Sequence, residues 1–295
     1  MKEIVFVSGK GGTGKTSLMA AFTSLAKNPV VADCDVDAAD LFLLLQPQQQ
    51  QPHSFVGGKQ AHIEADLCLR EGICQQVCRF DAVRRETDGR YLIDPFRCEG
   101  CGVCAYFCIH GAIRLVADQA GVWFSSQTRF GPMVHAHLEP GRENSGKLVT
   151  IVRQEAQRIC QEKGRELLLV DGPPGIGCPA IASLVGAGLA LAVTEPTVAA
   201  VHDLQRLLEL VRQLKVRIAL LINKWDINPI ITTELEALAE SQKLPLVGRI
   251  SYHPSFTNAQ REGKTIVEYG GPVADEIRQA WLSIIHEVQA NGPEH

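Results

Sequence analysis

The chain has 295 residues, 45% of them hydrophobic and 21% charged, with a formal net charge of −4. That balance suits a globular protein with its own hydrophobic core and excludes a general nucleic-acid binder or a basic membrane surface. No apolar run reaches bilayer-spanning length, and the opening MKEIVFVSGKGG runs straight into a strand, so neither membrane insertion nor a leader is expected.

In chain order, EIVFVS (3–8) is a short apolar run ending at glycine, which predicts a buried parallel strand. GKTSLMAAFTSLAK (14–27) predicts a helix, and PVVADCD (29–35) a second strand ending in acids. The polar stretch QPQQQQP (46–52) reads as a surface linker. Residues 61–116 change character: cysteines cluster and periodicity fades. Strand-like stretches at 121–138 return to the first pattern, and βα alternation then resumes through ELLLVDGPPG, LALAVTEPT, VRIALLINK and LPLVGRIS. The last helix, 273–289, is amphipathic, and its polar face carries more acid than base, which fits packing on a core rather than a membrane. The expected fold is α/β, a doubly wound, mostly parallel sheet formed by 1–60 and 117–295, with 61–116 as a small inserted α+β domain.

GKGGTGKT (9–16) fits G-x-x-x-x-G-K-[ST] between a strand and a helix. In such a loop the backbone of Gly9, Lys10, Gly11, Gly12, Thr13 and Gly14 closes around phosphates. Lys15 reaches the β/γ-phosphates, Thr16 ligates Mg²⁺, and Ser17 follows on the helix.

Ten cysteines in such a chain raise the question of disulfide or metal. Seven of them lie between Cys68 and Cys108 at short regular spacings, which points to metal. Cys98-x2-Cys101-x2-Cys104-x3-Cys108 is a bacterial ferredoxin ligand run, with zinc as the rival. CLREGICQQVCR (68–79) follows the same template with Cys68, Cys74 and Cys78, but Glu71 takes the second position. With the crossed pairing of two-cluster ferredoxins, Cys98, Cys101, Cys104 and Cys78 hold one [4Fe–4S] cluster. Cys68, Cys74 and Cys108 hold the other, with Glu71 at its fourth iron. Three outcomes stay open for that second site: [4Fe–4S], [3Fe–4S], or empty.

The second lysine of the loop, Lys10, makes it resemble the deviant Walker A motif of the MinD/ParA/nitrogenase-iron-protein superfamily. The resemblance implies ATP and Mg²⁺ as cofactors and an ATP-dependent dimer in which Lys10 reaches the partner's nucleotide. DCDVDAADL (33–41) is similar to switch I of that family, which makes Asp35 the acid that positions the attacking water. DGPPG (171–175) is similar to switch II, with Asp171 near Mg²⁺ and Gly175 near the γ-phosphate. INK (222–224) carries Asn223 where the family contacts adenine, and 248–266 resembles its last nucleotide-side loop. The whole resembles a subgroup of MinD-type ATPases with an inserted ferredoxin domain. The reading that follows is a cytoplasmic ATPase, a homodimer or a heterodimer with a related ATPase, that gates electron transfer to a redox protein. The alternatives are an iron–sulfur cluster carrier or assembly ATPase, and a ParA-like positioning switch with redox-sensing clusters. Cys178, seven positions after Asp171, is either a dimer-axis residue or a small helix-start residue. Cys34 and Cys160 read as core.

Overall fold

The computed structural model describes residues 1–142 and 144–289. β1 (Lys2–Ser8) leads to α1 (Lys15–Leu25), then β2 (Val30–Asp33) and α2 (Leu41–Leu45). β3 (Gln48–Ile63), α3 (Ile73–Gln76), β4 (Val83–Arg85), β5 (Tyr91–Ile93), α4 (Val103–Phe107) and β6 (Ile113–Gln127) follow. β7 (Pro132–Leu138) and α5 (Ser145–Glu162) precede the βα alternation of β8 (Leu167–Pro174), α6 (Cys178–Leu184), β9 (Leu189–Thr194) and α7 (Val198–Gln213). β10 (Ile218–Asn223), α8 (Pro229–Ser241), β11 (Leu246–Ile250), α9 (Ser255–Arg261), α10 (Ile266–Tyr269) and α11 (Pro272–Gln289) close the chain.

The nine-stranded sheet runs β11-β10-β9-β1-β8-β2-β7-β6-β3. The pairs from β11 through β7 are parallel. The α/β fold with a mostly parallel sheet is therefore present. Its strands are apolar on both faces because helices cover both. Ile4 and Phe6 of β1 join the core formed with Leu18, Met19 and Phe22 of α1 and with Ile277, Trp281 and Ile284 of α11. Phe22 stacks between Phe6, at 5.8 Å, and Trp281, at 5.6 Å. The closing helix thus packs on the core, as its acid-rich polar face suggests. Among the described residues, no helix is long and apolar enough to cross a membrane.

The chain divides into two units: 1–52 with 123–137 and from 145 onward, and 53–122 with 138–144. The second unit is wider than the 61–116 stretch that composition marks. Its ends fall inside β3 and β6, two long strands that run on through the boundary without a break. The stretch 46–52, read from sequence as a surface linker, instead enters strand at Gln48. β3 is the edge strand of the sheet, where Pro52 costs no interior ladder bond. Within the second unit, β4 and β5 form a separate antiparallel pair.

Candidate functional site

In the first unit, the site forms at the carboxyl ends of the parallel strands, where an open α/β sheet offers its crevice. β1 ends at Ser8, the loop follows, and α1 begins at Lys15. Gly14, the residue before the helix, has φ 85°, and a side chain there would also run into the Asn223 amide. Only glycine fits that turn.

Lys15 is buried and donates to Asp171 Oδ1 at 2.5 Å. Burial works against its ammonium charge, but the Asp171 carboxylate outweighs this and holds its pKa above the ordinary lysine value. Asp171 stands in register with Asp33 across β8 and β2, and both are fully buried. Burial first, and then the neighbouring Asp171 carboxylate, raise the Asp33 carboxyl well above the usual range. Asp33 Oδ1 accepts the Asp35 N–H at 3.2 Å. Asp35 itself is half-buried, and burial pushes its carboxyl up to about 6. Burial raises the Asp40 carboxyl, and the nearby Thr16 hydroxyl works against that rise. Gly175 donates its N–H to the Ser8 carbonyl at 2.8 Å, which ties the DGPPG loop to the end of β1. Ser17 Oγ accepts from Gln260 at 2.8 Å.

Two further features fit a bound nucleotide and cation. Asp33 Oδ2 and Asp171 Oδ2 are buried with no hydrogen-bond partner, as are Thr13 Oγ1 and Asn223 Oδ1. Hard carboxylate and hydroxyl oxygens are the donors Mg²⁺ takes, and a buried unpaired acceptor at Asn223 suits a purine amine. Asn223 also donates to the Thr13 carbonyl at 2.8 Å. Beside it lies a cavity lined by Gly14, Ser17, Asn223, Tyr252, His253 and Phe256. This is the 248–266 loop singled out in the sequence.

Lys10 is held within its own chain. Its ammonium lies 2.8 Å from Glu195 Oε1 and donates to Thr197 Oγ1 at 3.2 Å. Glu195 also takes Lys224 at 2.8 Å, and Lys224 donates to the Gly12 carbonyl at 3.0 Å. Partial burial works against the Glu195 charge, but the two lysines outweigh it and hold the carboxyl below its usual range. Asp33, Asp40 and Lys224 lie inside the 33–41 and 222–224 motifs without being singled out there, and Glu195 lies in a stretch marked only as a strand. Strand-end position was the available signal for Asp33, Glu195 and Lys224.

In the second unit, two cavities divide the cysteines. One is lined by Cys68, Glu71, Cys74 and Cys108 together with His110. The other is lined by Cys78, Cys98, Cys101 and Cys104. Cys108 of the second run thus lines the cavity of the first, and Cys78 of the first run lines the other. Burial raises the thiols of Cys74 and Cys104, and the other cysteines of each cavity add to it. All ten cysteines are free thiols. A tetrahedral zinc would gather four sulfurs about 2.3 Å from one point. Among the described residues, no group of three or more His, Cys, Asp or Glu side chains closes on a single ion in that way. A four-iron cluster takes soft thiolate donors, and each cavity is lined by three or four of them. Cys34 and Cys160 are buried core residues. Cys178 is exposed at the first position of α6.

Comparison with known proteins agrees with this geometry. Residues 4–266 match the family model described as CobQ/CobB/MinD/ParA nucleotide binding domain. The chain is 36% identical over 234 residues to the uncharacterized protein MJ0578 of Methanocaldococcus jannaschii, which covers 77% of this chain and 80% of that protein. Over 51 residues it is 39% identical to one component of the Na(+)-translocating ferredoxin:NAD(+) oxidoreductase complex of Acetobacterium woodii, covering 17% of this chain and 15% of that component. Among solved structures it is similar to the septum site-determining protein MinD of Pyrococcus horikoshii, described as complexed with Mg-ADP. The TM-score is 0.60 at 16% identity, over 99% of this chain and 98% of that one. At that identity the likeness speaks for the fold alone. The family match over most of the chain, on a loop, strand ends and sheet built as described, shows that this protein belongs to the MinD/ParA-type nucleotide-binding family and carries its ATPase domain.

Proposed function

We propose that the protein is an ATP-driven dimeric switch coupled to two iron–sulfur clusters, gating electron transfer to a redox partner in the cytoplasm. The observation that carries this reading is the division of seven cysteines into two cavities, in the same chain as the ATPase domain. The short identity to a component of a ferredoxin-linked oxidoreductase supports it.

In this reading the loop backbone from Gly9 to Gly14 cradles the phosphates, and Lys15 moves from Asp171 to the β/γ-phosphates. Thr16 and Asp171, with Asp33 beside them, hold Mg²⁺, which neutralises phosphate charge. Asp35 orients the water, Gly175 senses the γ-phosphate, and Asn223 holds adenine. Lys10 leaves Glu195 to reach the second protomer's nucleotide. Cys98, Cys101, Cys104 and Cys78 hold one [4Fe–4S] cluster, which supplies one-electron chemistry. Cys68, Cys74 and Cys108 would hold the second, with Glu71 beside them in the cavity. A second reading, a cluster carrier, rests on that cavity: three cysteines grip a cluster less firmly than four.

The test is iron and sulfide counting with anaerobic EPR, with and without ATP. Two clusters retained and cycled through reduction, at a rate that depends on ATP, are expected. Transfer of one cluster to an apo-acceptor on ATP addition would favour the carrier. Protein that takes up no iron would refute both.

A further inference from the structure

The two cysteine cavities are copies of each other. Apart from Phe107, every residue lining one has its counterpart 30 positions away in the other. The backbone follows the same copy. Arg70 has φ 62° and Gly100 φ 60°, Gly72 has φ 82° and Gly102 φ 79°, and Asp81 and Gly111 are both left-handed. Glu71 is therefore presented by the same turn that presents Cys101, between two left-handed residues.

Set against this copy, three substitutions gather at one corner. Glu71 stands for Cys101, His110 for Phe80, and Tyr91 for Ala61. All three bring polar atoms, and two of them, Glu71 and His110, meet. His110 Nε2 lies 3.2 Å from Glu71 Oε1. The Tyr91 hydroxyl lies so close to Gly72 that a side chain there would strike it. Loss of a thiolate alone would have left a phenylalanine beside the gap. Instead an imidazole is there, already in contact with the carboxylate that stands where the other copy has a thiolate.

On the reading that this cavity holds an iron–sulfur cluster, we infer that its fourth iron is held by the His110 imidazole, with Glu71 as the positioning residue that fixes the ring. Imidazole suits iron, whereas a carboxylate is the harder donor. A metal-bound histidine characteristically donates its other ring N–H to a carboxylate, which sets tautomer and orientation. Exchanging a thiolate for a neutral nitrogen removes negative charge, so this cluster has the higher reduction potential of the two, as histidine-ligated clusters do.

The test uses the full chain, reconstituted anaerobically with iron and sulfide, and pulsed EPR of the reduced protein grown with ¹⁵N-histidine or at natural abundance. A histidyl nitrogen coupling that changes with the label is expected. It should vanish in His110→Phe, which installs the residue the other cavity already accommodates, and in His110→Ala. It should persist, altered in strength, in Glu71→Gln. The potential of this cluster should fall in Glu71→Cys, where a thiolate regains the corner. Iron and sulfide for two clusters without nitrogen coupling, or a coupling that survives His110→Phe, would overturn the assignment and leave the cluster reading standing. Failure to take up cluster iron would overturn the cluster reading, and this assignment with it.

Discussion

Asp171 and Asp33 lie side by side in register on parallel strands, both with no exposed surface, and the ammonium of Lys15 rests on Asp171. Two carboxyls and one cation share a dry site, so the balance depends on the lysine. Lys15→Ala should abolish ATP binding. It should also destabilise the nucleotide-free protein by about 3–5 kcal/mol, because it strands a buried charge. Calorimetric titration and urea unfolding check the two halves separately. A variant as stable as the parent would mean that Asp171 is relieved in some other way.

The Lys10–Glu195–Lys224 network makes a separable prediction. Lys10→Ala should leave nucleotide affinity within about threefold of the parent, since Lys10 contacts Glu195 and Thr197 rather than the phosphate cradle. It should stop hydrolysis and ATP-driven dimerisation. Parental turnover in this variant, measured alongside light scattering, would refute a cross-dimer role.

Asp35 carries a pH prediction. Its carboxyl is raised to about 6, chiefly by burial. A raised acid favours the folded state when protonated, so that contribution is complete below about pH 4 and is lost as pH climbs through 6. Asp35→Asn should therefore melt higher than the parent at pH 7 and at the same temperature near pH 4, without nucleotide. With Mg-ATP, the same variant should bind but hydrolyse slowly, because no carboxylate orients the water.

Asn223 holds the Thr13 carbonyl and has a buried oxygen without a partner. Asn223→Ala should weaken ATP binding about tenfold, the worth of one buried hydrogen bond, with little change in turnover at saturation. Equal affinity for ATP before and after the change would remove this residue from the adenine site.

For the cysteine cavities, brief mild oxidation of anaerobic protein should produce an S = 1/2 [3Fe–4S] signal from the Glu71 site while the all-cysteine site survives. A corner without thiolate releases its iron first. Glu71→Cys should suppress that signal. Cys78→Ala should damage the cavity that holds Cys98, Cys101 and Cys104, although Cys78 belongs to the first run. Loss of the other cluster instead would reverse the grouping.

The loop was legible from its own residues, whereas Asp171 came from resemblance to a switch II motif and the crossed grouping from a two-cluster ferredoxin template. Asp33 was not legible, since VVAD reads as one more buried strand. Its importance comes from β8, whose Asp171 is distant in sequence and adjacent only through the parallel register. Glu195 and Lys224 sit at neighbouring strand ends and meet over the loop, again through topology. The boundaries of the second unit were hidden because β3 and β6 run through them. His110 escaped notice because a lone histidine carries no ligand spacing. Its meaning appears only once the copy 30 residues away shows a phenylalanine in its place.

The exchange of Cys78 and Cys108 has a consequence for how such a module is inherited. Neither half encloses a complete set of donors, so a gene fragment carrying one run would encode no usable centre at all. On the proposed cluster reading, deleting either half should silence both centres in a single step. The halves differ in side chains, at Glu71 and His110 among others, yet on that reading each needs a cysteine of the other.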